Sequence, residues 1–314
     1  EPEGGTGGSH LASPPQAEPV RVRRDVTIES AGFRLGLPGA ELRGDYWRAP
    51  DPVDDAALVV CHGFKGFKDW GFFPHLCAEL AGRTGVNTVS FNFDGSGVRR
   101  ADFDDLEAFS RNTFTRELFD LEAILDGLAA GRLGELEVPP AARYGLLGHS
   151  RGGATVILKA ALRRQVRALV TWASIASVTR YEGYADQWEA GETVIIPNAR
   201  TGQDMPLERN VLDDTRANRE RLDVLESAAA LDIPFAIVHG DADESVAVAD
   251  ADAIANAAGA GARLVRIAGA GHTFGAVHPF VGTTPELDRA IDASVELFGS
   301  VFAGGGPGSE GDAR

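Results

Sequence analysis

The feature that most limits what this chain can fold into is an alternation that begins near residue 56. Runs of nearly continuous apolar residues recur, and most are followed by a segment with helical spacing. The runs are AALVVCH (56–62), VNTVSFNF (86–93), RYGLLGH (143–149), VRALVTWASI (166–175), PFAIVHG (234–240) and ARLVRIAG (262–269). A strand without polar alternation needs cover on both faces. The helical segments FFPHLCAELAGR (72–83), RNTFTRELFDLEAILDGLAA (111–130), GGATVILKAALRR (152–164), AVADADAIANAA (247–258) and PELDRAIDASVELFGSVF (285–302) can supply it. In the second of these, Phe114, Leu118, Leu121 and Leu125 share one stripe. Repeated units of this kind predict an α/β fold, with a mostly parallel sheet of about eight strands and helices on both faces. VRRDVTIES (22–30) and ELRGDYWRA (41–49) alternate polar and apolar residues, as a half-solvated antiparallel edge would.

Residues 1–20 and 304–314 are rich in Gly, Pro and Ser and are expected to be flexible tails. The remaining 21–303 suit one domain. Within it, 178–226 has no clear core pattern and is expected to be a cap or lid over the site. The chain carries 46 acidic against 30 Lys and Arg residues, a formal charge of -16. That balance argues against nucleic acid and against an anionic membrane surface as partners. Its apolar runs are too short to span a bilayer. Cys61 and Cys77 are too few for a disulfide framework and read as buried free thiols, which leans toward the cytoplasm. The chain begins at Glu1 rather than methionine, as a truncated or processed N-terminus would. A homodimer is compatible with such a body.

In open sheets of this type, ligands sit at the carboxyl ends of the strands. After the run 143–149 stands Gly148-His149-Ser150-Arg151-Gly152, which fits G-x-S-x-G. Glycine is 38 of 314 residues, so the pentapeptide alone is a weak signal, and its place between strand and helix strengthens it. A serine hydroxyl needs a base, and the base needs a partner that fixes its tautomer. The run 234–240 leads into Asp241-Ala242-Asp243-Glu244. Asp243 is the chosen acid and Asp241 the alternative. The run 262–269 leads into Gly271-His272-Thr273-Phe274, and His272 is the chosen base, with His278 as rival. His62, His149 and His239 abut strand ends and read as structural. Acyl transfer also needs N–H donors aimed at the developing oxyanion. The amide of Arg151 and that of Phe64, in His62-Gly63-Phe64-Lys65-Gly66, are the candidates.

These motifs, HGF-x-G (62–66), GHSRGG (148–153), HGDAD (239–243) and GHTF (271–274), occur in order. Together they resemble the α/β-hydrolase superfamily over about residues 25–302. The likeness is greatest to bacterial esterases and to the dienelactone-hydrolase-like and serine-aminopeptidase-like branches. It implies a Ser150–His272–Asp243 triad with the Phe64 and Arg151 amides as oxyanion donors. Dienelactone hydrolases proper use cysteine and haloalkane dehalogenases use aspartate, whereas position 150 is serine. GHSRGG is also similar to chlorophyllases, and HGFKGFKDW with NARTGQ (198–203) is similar to a further set of hydrolases, a resemblance that names no substrate.

The expected function is therefore a serine hydrolase, a carboxylesterase acting on small or medium esters without metal or organic cofactor. A peptidase, an acyl-aminoacyl hydrolase or a thioesterase would use the same triad. A binding protein on the same fold would normally lose a triad member. Lys65 and Lys68 form a positive island on an acidic chain, either solvated or steering an anionic substrate. Trp188 and Arg200, in the expected cap, are further candidates for substrate contact.

Overall fold

A computed structural model describes residues 20–22, 26–100, 102–198 and 201–302. The expected tails lie outside these, except for Val20. The central sheet has eight strands. They are β1 (Ser30–Leu37), β2 (Ala40–Trp47), β3 (Ala56–Cys61), β4 (Thr88–Asn92), β5 (Arg143–His149), β6 (Val166–Trp172), β7 (Phe235–Gly240) and β8 (Ala262–Ile267). Their spatial order is β8-β7-β6-β5-β3-β4-β2-β1. Only β2 is antiparallel to its neighbours; the other pairings are parallel. The chain leaves β3 toward β4 and then crosses back to β5. That reversal opens a crevice at the carboxyl ends of β3 and β5.

Five helices cover the sheet: α1 (Phe73–Thr84), α2 (Phe114–Ala129), α3 (Arg151–Leu162), α4 (Val248–Ala258) and α5 (Pro285–Phe302). The apolar runs are continuous because the sheet is covered twice. On β3, Ala57, Val59 and Cys61 pack toward α2 and α3, whereas Leu58 and Val60 pack toward α1 and α5. The indole of Trp172 on β6 donates to Ser294 Oγ on α5 at 2.9 Å, tying that helix to the sheet. Cys61 and Cys77 are free and fully buried, one in each core. Among the described residues, no helix is long and apolar enough to cross a membrane.

Two boundaries differ from the sequence reading. The edge hairpin pairs Ser30–Leu37 with Ala40–Trp47. Val26–Ile28 instead pairs with Val20–Val22 in a separate two-stranded ladder. A new alternation, out of phase with Val26 and Ile28, runs through Phe33, Leu35 and Leu37 and forms the strand that pairs in the hairpin. The segment after β6 is also more ordered than an irregular loop. It contains a 3-10 turn (Thr179–Tyr184), a short helix (Ala185–Glu189), a hairpin (Val194–Asn198 with Gln203–Leu207) and a helix (Asn210–Ala217). The next helix, Val224–Ala229, packs on α3 and α4 and so belongs to the main body.

Two glycines test this packing in opposite directions. A Cβ at Gly145 on β5 would lie 2.5 Å from Leu58 Cδ2 and 2.8 Å from Phe298 Cε1. Gly145→Ala should therefore lower the unfolding free energy by about 1–3 kcal/mol through overpacking. A Cβ at Gly299, inside α5, meets nothing within 4 Å. Gly299→Ala should raise it by about 0.5–1 kcal/mol. Urea midpoints of the two variants check both signs.

Candidate active site

The site begins at the turn from β5 into α3. Ser150 has φ 57° and ψ -120°, a conformation costly for a residue with a side chain, on the order of 1–3 kcal/mol. The surroundings impose it. Ser150 N–H donates to Trp172 O at 2.8 Å, and Gly153 N–H donates to Ser150 O at 2.9 Å. The turn is too tight for side chains on either flank. A Cβ at Gly148 would lie 2.2 Å from Gly152 O, and one at Gly152 would lie 2.4 Å from His62 O. The loop after β3 presses on the same turn, since a Cβ at Gly63 would lie 2.9 Å from Ser150 Cβ.

Histidines at the strand ends hold neighbouring loops. His149 Nε2 is 2.9 Å from His272 O, and His239 Nε2 is 2.9 Å from Val246 O. A carbonyl only accepts, so both Nε2 atoms carry the proton. His62 Nδ1 likewise donates to Gly63 O at 2.9 Å, while its Nε2 accepts from Phe93 N–H at 3.2 Å. Burial, with a smaller contribution from the neighbouring His272 ring, lowers His149 to about 3. Burial also lowers His62, to about 4. Both rings are neutral at ordinary pH.

Asp243 and His272 arrive on the loops after β7 and β8. His272 Nδ1 is 2.7 Å from Asp243 Oδ2. Asp243 Oδ1 accepts from the N–H groups of Ser245 and Val246 at 2.8 and 3.0 Å. Burial alone would raise the Asp243 carboxyl, but bonds from His239, His272 and Val246 more than offset it and hold it far below the usual range. Asp241 instead accepts from Gly269 N–H at 2.7 Å and is exposed. His278 Nδ1 accepts from Gly71 N–H at 2.9 Å, and its ring stacks on Trp70.

A cavity of about 610 Å³ opens over the turn. Ser150, Arg151, His272, Ser245 and Val246 line it from the main body, with Phe64 and Lys65 from the loop after β3. Arg180, Tyr181, Gly183, Tyr184 and Ile196 line it from the segment after β6. The Arg151 side chain is buried beside it. Its Nε donates to Glu117 Oε1 at 2.7 Å, and Nη1 donates to the Tyr181 hydroxyl. The guanidinium lies 3.9 Å from the Phe114 ring centroid. Asn112 and Thr155 also donate to Glu117. Burial opposes the Arg151 charge, but Glu117 and Tyr181 more than offset it. The residue after Ser150 is thus bonded to the start of the segment after β6.

Other sequence candidates fall elsewhere. Lys68 lies off the cavity, bonded to Asp45 at 2.5 Å and to Asp69 at 2.7 Å. Trp188 is buried in the cap segment, where its indole donates to Leu207 O at 3.1 Å. Arg200 lies outside the described residues. Sequence reading missed Arg180, Ser245, Val246 and the Glu117 partner of Arg151. Ser245 and Val246 follow Asp243 and are brought to the cavity by the turn they make with its carboxylate, while Arg180 and Glu117 come from segments with no motif to mark them. Among the described residues, no cluster of His, Cys, Asp and Glu could hold a metal ion.

Residues 58–284 match the profile of the alpha/beta hydrolase family. The chain belongs to that family. No curated protein sequence matches it. Among solved structures, this alpha/beta hydrolase is similar to Est1E from Butyrivibrio proteoclasticus with ferulic acid bound. That match has 20% identity and a TM-score of 0.66, and covers 86% of this chain and 99% of the other. The esterase domain of a Rhodothermus marinus protein matches at 19% identity and a TM-score of 0.56, over 88% and 97% of the two chains. Pyrococcus horikoshii acylaminoacyl peptidase matches at 16% identity and a TM-score of 0.64, over 92% of this chain but 44% of that one. At these identities the likeness is one of fold.

The neutral buried histidines set an acid limit on this hydrolase. In the unfolded chain both His62 and His149 would titrate near 6.5. Below that pH the unfolded chain binds protons that the folded one does not, down to about 4 for His62 and about 3 for His149. Stability should fall with pH across this window, by up to about 1.4 kcal/mol per unit for each histidine. Urea midpoints at pH 7 and 4.5 check it. His149→Gln, which keeps an amide donor for His272 O, should show a shallower slope, and a flat wild-type profile would contradict the assignment.

Proposed function

We propose that this hydrolase cleaves carboxylic esters of small or medium size through an acyl-enzyme on Ser150, with His272 and Asp243 completing a triad. One observation carries the reading: the strained Ser150 shares a cavity with a histidine whose far nitrogen is bonded to a buried carboxylate. A carboxylate only accepts, so His272 Nδ1 carries the proton and Nε2 keeps its lone pair. That lone pair takes the Ser150 proton as Oγ attacks the ester carbonyl. The imidazolium then forms, stabilised by Asp243, and returns the proton to the leaving alcohol. Water resolves the acyl-enzyme by the same route in reverse roles.

The oxyanion would be held by the N–H groups of Arg151 and Phe64. Arg151 N opens α3, where unpaired N–H groups and the helix dipole favour negative charge. A Cβ on Gly63, beside Phe64, would lie 3.5 Å from Arg151 N, which supports the two amides bordering one space. All the groups in these steps belong to the chain, the ester and water.

p-Nitrophenyl esters of increasing chain length, with an aminoacyl anilide alongside, test the proposal. Wild type should turn over the esters faster than the anilide. Ser150→Ala should lose at least about 10⁴-fold in kcat, and Asp243→Asn about as much by disturbing the His272 tautomer. Asp241→Asn should stay near wild type. Retained turnover in a folded Ser150→Ala variant refutes the nucleophile, and faster anilide cleavage refutes the ester preference.

A further inference from the structure

The cavity is unusual for a chain of formal charge -16. No carboxylate is among its lining residues, while Lys65, Arg151 and Arg180 are. Arg151 is neutralised by Glu117. The other two come from separate segments, and among the described residues neither forms an ion pair. Lys65 is half-buried in the loop that also carries Phe64. Its backbone has φ 57°, an uncommon conformation for a lysine. Its Nζ donates only to Pro197 O, at 3.2 Å, a partner that brings no counter-charge. Arg180 lies on the facing 3-10 turn, beside Tyr181. Its neighbour Glu182 does not serve as its partner, because Glu182 pairs with Arg216 at 2.6 Å.

Lys68 supplies the contrast. Three residues along the same loop, it is held between Asp45 and Asp69. Among the described residues, the fold supplies counter-ions to Lys68, which lies off the cavity, and none to Lys65, which lines it. Lys65 is half-buried, so water screens its charge less than that of a fully solvated lysine, while the exposed Arg180 adds a second positive charge at the same cavity.

We infer that the substrate ester carries a carboxylate in its acyl part, held between Lys65 and Arg180 beside the reacting carbonyl. This rests on the ester reading above and names the substrate class for the same site. The half-esters of dicarboxylic acids are the simplest members. The residues act on specificity: they position the substrate and take no part in bond making.

The test compares p-nitrophenyl hemiglutarate with the neutral p-nitrophenyl valerate, of similar length, in wild type and in Lys65→Met/Arg180→Gln. In wild type the ratio of kcat/KM values should favour the hemiglutarate by about tenfold or more at low salt and shrink as salt rises. In the double variant the ratio should fall to about one, with valerate turnover kept. An unchanged ratio in the double variant, or a wild-type preference for valerate, overturns the inference while Ser150-dependent valerate turnover leaves the ester reading intact. Calorimetric titration with monomethyl glutarate gives an answer that needs no turnover. Binding to Ser150→Ala that is lost on adding the Lys65 and Arg180 changes supports the inference, and equal or absent binding in both overturns it.

Discussion

The turn at Ser150 is the constraint on which the rest of the structure depends. A residue with a side chain sits where glycine would be easier, and it stays there only because its neighbours leave no alternative. Trp172 O receives its N–H, the backbone of the β3 end fills the space a side chain at 152 would need, and Gly152 itself fills the space a side chain at 148 would need. The result is a hydroxyl presented at the crevice where the strand order reverses. Relaxing the turn would require β3, β5 and β6 to separate, so the strain is held by the whole sheet.

Charge is handled in two distinct ways around this turn. On the main-body side, each buried charge has a partner. Arg151 lies against Glu117 and the Phe114 ring, and Asp243 is surrounded by donors. These groups are fixed before any ligand arrives, which lowers the reorganisation a reaction would need. Lys65, from the loop after β3, and Arg180, from the segment after β6, line the cavity with no ion pair among the described residues. Tyr181 connects the two regions, since its hydroxyl bonds to Arg151 while its ring borders the cavity.

The sheet and its covering helices were legible because burial on both faces leaves a local signature. The helix expected at 285–302 is observed at Pro285–Phe302, and the strand expected at 234–240 at Phe235–Gly240. The edge was less legible. Alternation marks a half-covered strand, and its phase shifts from Val26 and Ile28 to Phe33, Leu35 and Leu37, but the small residues Ser30, Ala31 and Gly32 between them blur where one strand ends and the next begins. The cap segment was legible only as a departure from pattern. Its hairpin pairs Pro197 with Asp204 and Ile195 with Pro206, a pairing that proline content argues against in isolation. Trp188, a candidate for substrate contact in the sequence, is buried within the segment after β6, where it bonds Leu207 O.

The amino-acid order by itself determined the layered architecture and the motifs at the strand ends, because periodicity and glycine spacing are local properties. It favoured Asp243 over Asp241 with the alternative left open, and could not choose between Lys65 and Lys68, since each pair lies on one short loop with the same chemistry. Tertiary structure made both choices. Asp243 turns inward to His272 while Asp241 bonds a loop amide. Lys68 meets Asp45 from β2, while Lys65 is left facing the cavity. The physical reason is common to both: a charged group's role depends on which distant backbone or counter-charge comes within about 3–4 Å, and only the folded chain sets that distance.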